Sequence, residues 1–261
     1  MRSLDIGATG MLAQQLNVDV ISNNIANMST TGFKQSRAAF QDLLYQNINS
    51  PGSSSSDAGT TLPSGLQVGL GAKASGVYRM HSQGTVAVTD NNLDLAIKGQ
   101  GFFQIDLPGG GTAYTRDGSF QLNENSQIVT IDGYVVSPAI TIPEDAEDVD
   151  INSEGEVSVT YVGEPAPAVI GQIELASFAN PVGLEAIGDN LYLETTASGS
   201  PTTGTPGQNQ YGTIEQGALE ESNVNVVSEM TNLISAQRAY EMNSKVISTS
   251  DEMMQTITQL R

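Results

Sequence analysis

Residues 2–34 read RSLDIGATGMLAQQLNVDVISNNIANMSTTGFK. Leu4, Ala8, Met11, Gln15, Val18, Ser22 and Ile25 step alternately by four and three, the spacing of a heptad seam, and Leu12, Ile21 and Ala26 widen the apolar stripe beside it. Ser3 suits an N-cap, and the polar run Ser29-Thr30-Thr31-Gly32 marks a stop. The spacing predicts one helix of roughly 25 residues, about 37 Å long.

The far end of the chain repeats this design. Met230, Leu233, Gln237, Tyr240, Ser244, Ile247, Asp251 and Met254 also step by three and four, with Asn223 or Asn225 available as cap and Glu229 favourably placed in the first turn. Between the two helices the period changes to two. TVAVT, LDLAIK, GFFQIDL, SFQLN, QIVTI, YVVS, EVSVTYV, IGQIELASF and NLYLET read as short strands, separated by turn signals such as Pro108-Gly109-Gly110, Asp117-Gly118 and Asp132-Gly133. No helix-length pattern separates them, which predicts an antiparallel sheet. Residues 46–76 are rich in Ser and Gly and read by composition as a flexible linker, and 197–212 read as a second loop leading to the last helix. The fold class is therefore α+β: terminal α-helices that pair as a coiled-coil-like core, around an antiparallel β-rich middle.

Charge narrows the function. The chain of 261 residues carries a net charge of −19, and residues 76–212 hold 18 of its 29 acids against Arg79, Lys98 and Arg116 alone. Residues 1–45 are neutral, with three charges of each sign. That balance repels nucleic acid and anionic lipid, so neither nucleic-acid binding nor membrane insertion is expected. There is no cysteine, which removes disulfides, thiolate nucleophiles and Cys-ligated metals. The first twenty residues lack the apolar run of a secretory signal, because Asp5, Thr9 and Gln14-Gln15 interrupt it. By this test the protein is cytoplasmic, or leaves the cell without a cleavable signal.

Candidate chemistry is thin. Placing Asp148, Asp150 and Asn152 on the first ligands of a calcium loop puts Ser153 where glycine is required and Val159 where the bidentate Glu belongs. The single histidine, His81, has no second His or Cys to share a metal. Gly99-Gln100-Gly101 is followed by strand-like FFQID and lacks the Lys-Ser/Thr pair of a phosphate loop, so it reads as a tight turn. No spacing selects a carboxylate pair for glycoside hydrolysis. No catalytic residue, metal ligand or cofactor site is expected, and the chain does not read as an enzyme. For the helices two readings stay open on the residues alone: a hairpin lying on its own β domain, or stripes that bury against other copies. Helices of the second kind are poorly ordered until a partner arrives.

ISNNIANMSTTGFK (21–34) resembles the N-terminal signature of the bacterial flagellar axial family, the rod and hook subunits. AIKGQGFFQI, AYTRDGSFQLN, VTIDGYVV and PAITIP resemble the β-domain motifs of that family, and residues 217–261 resemble its closing helix. The segment 43–73 is similar to the one that marks the distal-rod branch. The resemblance runs nearly end to end, with two departures. Asp5 stands where relatives often carry an apolar or aromatic residue, and Ser126 stands where they usually have Gly.

The resemblance implies a structural subunit of the distal rod of the flagellar basal body, exported through the flagellar type III apparatus without a cleavable signal. It implies helical polymerisation with copies of itself, contacts with proximal rod proteins, hook protein and the peptidoglycan and outer-membrane bushing rings, and transmission of motor torque across the periplasm. Leu4, Met11, Leu12, Val18, Ile21 and Ile25 are expected to pack with Met230, Leu233, Ile234, Tyr240, Ile247 and Met254 as the assembly core. Asn23, Asn24, Asn27, Thr31, Gly32 and Phe33 form a junction motif. Pro51, Gly52, Leu62, Pro63, Gly65 and Leu66 belong to a rod-specific hairpin that orders on assembly, against the linker reading of composition. The expected domains are 1–40 with 216–261 as axial core, 41–76 with 200–215 as extended hairpin and linker, and 77–199 as β domain. The alternatives are another axial subunit (proximal rod or hook), a calcium-binding extracellular β module, and a secreted glycan hydrolase.

Overall fold

The computed structural model describes residues 2–49, 64–161, 164–208 and 210–259. The chain divides into two compact units, one of residues 1–26, 36–78 and 225–261, the other of 27–35 and 79–224.

In the first unit, α1 (Arg2–Ala26) pairs with the first part of the longer α2 (Val226–Gln259). At 1.5 Å per residue they span about 37 and 51 Å. Their closest approach lies one position from the evenly spaced residues at Gly7, Gly10 and Asn243, and on one of them at Ile247. Gly7 lies against Ile247 and Gly10 against Asn243, so close that an added Cβ would stand 2.9 Å from Ile247 Cγ1 and 2.8 Å from Asn243 Nδ2. Ile21, Asn24, Glu229, Ala236 and Ser250 are buried on the same unit. Small and polar residues bring the two backbones together, and most of the large apolar side chains of α2 are left exposed. Ser3 lies inside α1 rather than capping it. Asn225 caps α2, its Oδ1 accepting from Ser228 N at 3.1 Å.

Four strands follow α1: β1 (Ser36–Asp42), β2 (Tyr45–Asn49), β3 (Leu66–Gly69) and β4 (Ala72–Arg79). β1 pairs with β4, and β2 with β3 in an antiparallel ladder running from Tyr45 opposite Gly69 to Asn49 opposite Leu66. The linker reading of 46–76 is thus corrected for its described residues: Ser and Gly dilute the apolar signal, but alternation in LQVG and AKASGVYR suffices for paired strands. Residues 50–63, with Pro51, Gly52, Leu62 and Pro63, lie outside the described residues.

The second unit holds β5 (Val86–Val88), β6 (Leu95–Lys98), β7 (Phe102–Asp106), β8 (Thr112–Thr115), β9 (Gln121–Leu122), β10 (Ile128–Val129), β11 (Val135–Ser137), β12 (Ala146–Ile151), β13 (Glu156–Tyr161), β14 (Glu164–Gln172), β15 (Leu175–Ser177), β16 (Glu185–Gly188), β17 (Leu191–Leu193), β18 (Thr202–Gly204), β19 (Thr213–Gln216) and β20 (Ala218–Glu220). The largest sheet runs β16-β17-β8-β7-β11-β10-β9, with β15 on β7 and β18 on β15. β12-β13-β14 form a second sheet, and β19 with β6 and β20 with β5 form two-stranded ladders. The registers described are antiparallel, as predicted. Leu95, Ile97, Phe103, Ile105, Val157 and Leu175 centre the core.

Two local readings change. IGQIELASF breaks after Gln172 into β14 and β15, which join different sheets. The stretch 200–215, grouped by composition with the linker, carries β18 and the start of β19 and belongs to the β unit. Threonine supplies the strand propensity there that its Gly and Pro neighbours mask.

Candidate assembly surface and a buried ion cluster

The twelve residues expected in the assembly core fall into three groups. Ile21 is buried, and Leu4, Met11, Val18, Ile25, Leu233 and Ile247 are half-buried on the helix pair. Leu12, Met230, Ile234, Tyr240 and Met254 stand exposed, Leu12 by 67% and Met230 by 56%. Met242, Val246, Met253 and Ile257 are exposed beside them. Scattered exposed apolar residues need no explanation; these stand together on two helices and make a broad apolar surface. On the β2–β3 hairpin, Gly65 is half-buried, and Leu66 is exposed together with Leu44, Tyr45 and Ile48.

The junction motif works in two parts. In the helical unit Asn24 is fully buried, and its Nδ2 donates to Ser36 O at 2.8 Å and to Glu229 Oε2 at 2.9 Å. Its Oδ1 accepts from Ser36 N at 2.9 Å, so one amide ties α1 to both α2 and β1. Asn23 is exposed on α1. In the β unit the helix stop closes as a turn: Thr30 N donates to Asn27 O at 3.3 Å, and Thr30 Oγ1 bonds Asn27 Oδ1 at 3.2 Å. Asn190 Nδ2 donates to Thr31 O at 3.0 Å. Gly32 has φ of +66°, and a Cβ there would stand 2.7 Å from Asp117 N, so only glycine fits without displacing backbone. Phe33 is buried, anchoring the outgoing chain.

The next residue is one that sequence reasoning passed over. Lys34 is completely buried and ion-pairs with Glu220, itself completely buried on β20. Lys34 Nζ also donates to Ser82 O at 2.9 Å. Arg116 Nη1 reaches Glu220 Oε2 at 3.3 Å, Arg116 Nη2 donates to Gly99 O at 2.7 Å, and Gly84 N donates to Glu220 Oε1 at 2.8 Å. Gly32 N donates to Glu220 O at 2.7 Å. One carboxylate therefore serves two buried cations and a backbone amide, and its own carbonyl serves a fourth donor. Burial pulls both Lys34 and Arg116 below their ordinary pKa, and the Glu220 charge opposes that. A signal was present in the sequence: TGFK, YTRDG and GALEES each supply one ion, and each sits inside a segment that carries the family resemblance.

His81 lies beside this cluster. Its ring meets Phe102 and Tyr192 edge-on, with centroids 5.7 Å away in each case. Arg116 stacks over Phe102 at 5.3 Å and Arg79 over Tyr192 at 5.4 Å. Burial, then repulsion from Lys34, Arg116 and Arg79, pulls the imidazole down to about 4, and a contact with the backbone of Pro181 opposes them. The ring is held neutral and packs against Phe102 and Tyr192. Asp148 and Asn152 of the rejected calcium alignment have structural duties. Asp148 Oδ1 accepts from Asn92 Nδ2 at 3.0 Å, and Asn152 Oδ1 caps the β12–β13 turn by accepting from Glu154 N and Glu156 N. The Gly99-Gln100-Gly101 turn joins β6 to β7, with both glycines at positive φ.

Comparison with known proteins follows the same division of the chain. Residues 4–34 match the family "Flagella basal body rod protein", 96–159 match "Flagellar hook protein FlgE/F/G D1 domain", and 215–260 match "Flagellar basal body rod FlgEFG protein C-terminal". A terminal helix pair with a β unit between, carrying these three segments in this order, is the class of flagellar rod and hook axial subunits. The chain is 59% identical over 261 residues to the flagellar basal-body rod protein FlgG of Caulobacter vibrioides, covering all of both chains. It is 53% identical to that of Buchnera aphidicola from Acyrthosiphon pisum, over 99% of each, and 42% identical to that of Bacillus subtilis, over 100% of this chain and 99% of the relative. The chain belongs to the FlgG family of flagellar basal-body rod proteins. It is a structural component of the basal body and not an enzyme. Among the described residues no helix is long and apolar enough to cross a membrane.

Proposed function

We propose that this chain builds the distal rod, polymerising helically so that its terminal helices form the inner core of a tube that carries torque from the proximal rod to the hook. Its further partners are the peptidoglycan and outer-membrane bushing rings and, before assembly, the flagellar type III export apparatus. The observation that carries this reading is the exposed apolar surface of the helix pair. Leu12, Met230, Ile234, Tyr240 and Met254 face solvent in a single chain that is otherwise strongly acidic. Burying each such side chain against a neighbouring copy contributes on the order of 1.5–3 kcal/mol, and each added subunit repeats the set. Heterologous contacts of this kind build an open helix rather than a closed ring. The exposed Leu44, Tyr45, Ile48 and Leu66 of the β2–β3 hairpin supply a second surface for neighbours.

The test is electron microscopy of basal bodies from a strain lacking the gene. They should stop at the proximal rod and lack hook and filament, and restoring this chain should restore both. Complete, motile flagella without it would refute the proposal.

A further inference from the structure

The register of the helix pair leaves one part of α2 unpartnered. Gly7 meets Ile247, Gly10 meets Asn243 and Asn24 meets Glu229, so the helices run antiparallel. Carried back to Arg2, this register reaches Asp251. From Asp251 to Gln259 every residue of α2 is exposed. On those turns stand Met253, Met254 and Ile257, exposed by 56%, 38% and 62%, beside the acidic Asp251 and Glu252.

The same unit offers a matching concavity. An open groove of about 290 Å³ lies between α1 and the strands that follow it, lined chiefly by Leu12, Ala13, Leu43, Ala72 and Ala74, with Lys73 as its charged member. Its walls are apolar, and Leu12 is exposed by 67%. The groove and the end of α2 are complementary: an apolar trough with one cation, and an apolar helix end with two acids. Within one chain they do not meet. The register puts position 12 opposite position 241, and 241 is thirteen residues of helix, about 20 Å, from Met254.

We propose that the last turns of α2, carrying Met253, Met254 and Ile257, dock into the Leu12–Leu43–Ala72 groove of a second copy, with Glu252 directed at that copy's Lys73. This rests on the polymerising-subunit reading above and specifies one of its contacts. The contact is heterologous: each copy presents a groove and a helix end, so it propagates from subunit to subunit. Met suits such a role, because its unbranched side chain adapts to an irregular trough. The acid–lysine pair sets register more than strength, as expected of a pair at the rim of an interface.

The chain has no native cysteine, which makes covalent capture clean. Two double variants are expressed as the sole copy in flagellated cells: Leu12→Cys with Met254→Cys, and Ala74→Cys with Ile257→Cys. Basal bodies are isolated, oxidised and run without reductant. The expected result is a ladder of dimers and higher multimers from at least one double variant and none from the single variants. Rods that isolate normally yet stay monomeric in both double variants would overturn the docking while leaving the proposed function standing. Rods that never contain the wild-type chain would overturn the proposed function, and the docking with it. Should the cysteine variants fail to assemble, the charge pair decides. Lys73→Glu is expected to cut the rods per cell about fivefold, the scale of a lost rim ion pair, and adding Glu252→Lys to restore them. No loss with Lys73→Glu, or no restoration by the second change, would overturn the contact.

Discussion

Lowering pH should weaken the β unit through one side chain, His81. The folded chain holds this ring near 4, against an ordinary value of 6.5, because it is buried against Phe102 and Tyr192 and repelled by Lys34, Arg116 and Arg79. As pH falls the unfolded chain takes up the proton first. The stability contributed by keeping the ring neutral is therefore complete above pH 6.5 and is lost as pH falls from 6.5 through 4. Between pH 7.5 and pH 4.5 the loss attributable to this group comes to about 2.5 kcal/mol. Carboxylates also titrate at the acid end, so the measurement is a difference between two proteins. Wild type and His81→Gln are unfolded in urea at both pH values and followed by tyrosine fluorescence, for which a chain without tryptophan is well suited. His81→Gln is expected to lose about 2.5 kcal/mol less than wild type over this interval, whatever its stability at pH 7.5. Equal losses in the two proteins would show that the ring titrates normally, and that the cage of rings and cations does not exclude its charged form.

Glu220→Gln should destabilise the β unit by about 3–5 kcal/mol, because Lys34 and Arg116 would remain buried without their shared anion, and an unchanged urea midpoint would contradict that. Asn24→Ala removes the bonds to Ser36 and Glu229 and should cost about 2–3 kcal/mol. Combined with Asn27→Ala it should depress rod assembly more than export, and an equal fall in both would leave the asparagines as no more than a helix stop. Ser126 adopts φ of +57° in the turn between β9 and β10, so Ser126→Gly should stabilise the chain by about 0.5–1 kcal/mol, read as a rise in melting temperature.

The elements with a strong period were legible. Both helices, the strands around LAIK, FFQID and VSVTY, and the antiparallel pairing follow from spacing and turn residues. The helix seam was legible only in part, because apolar periodicity finds the largest hydrophobic stripe and gives no weight to glycine. In this chain that stripe is split: Ile21 is buried and Leu4, Met11, Val18, Ile25, Leu233 and Ile247 are half-buried, Leu12, Met230, Ile234, Tyr240 and Met254 are exposed, and the closest approach is at Gly7 and Gly10. A spacing rule built on large apolar side chains passes over glycine, whose missing Cβ lets two backbones approach. The ion cluster was hidden for a different reason. Lys34, Arg116 and Glu220 are far apart in sequence, and nothing in a charge pattern marks a lysine as buried. The strain at Ser126 was visible as a departure from the family pattern, and the positive φ gives that departure its physical meaning.

The ion cluster also has a consequence in time. Lys34 and Glu220 are 186 positions apart, and the ladders that seat Glu220 join β5 to β20 and β6 to β19. Contacts of such long sequence separation are slow to form, because the intervening chain must be closed before any of them is gained. A ribosome has to make more than four-fifths of the polypeptide before the carboxylate that, among the described residues, pairs with both buried cations exists. Up to that moment the earlier strands can collapse only around unpaired charges, a state disfavoured by the cost of desolvating them. Closure of the β unit around Lys34 and Arg116 therefore waits for Glu220, one of the last residues of that unit.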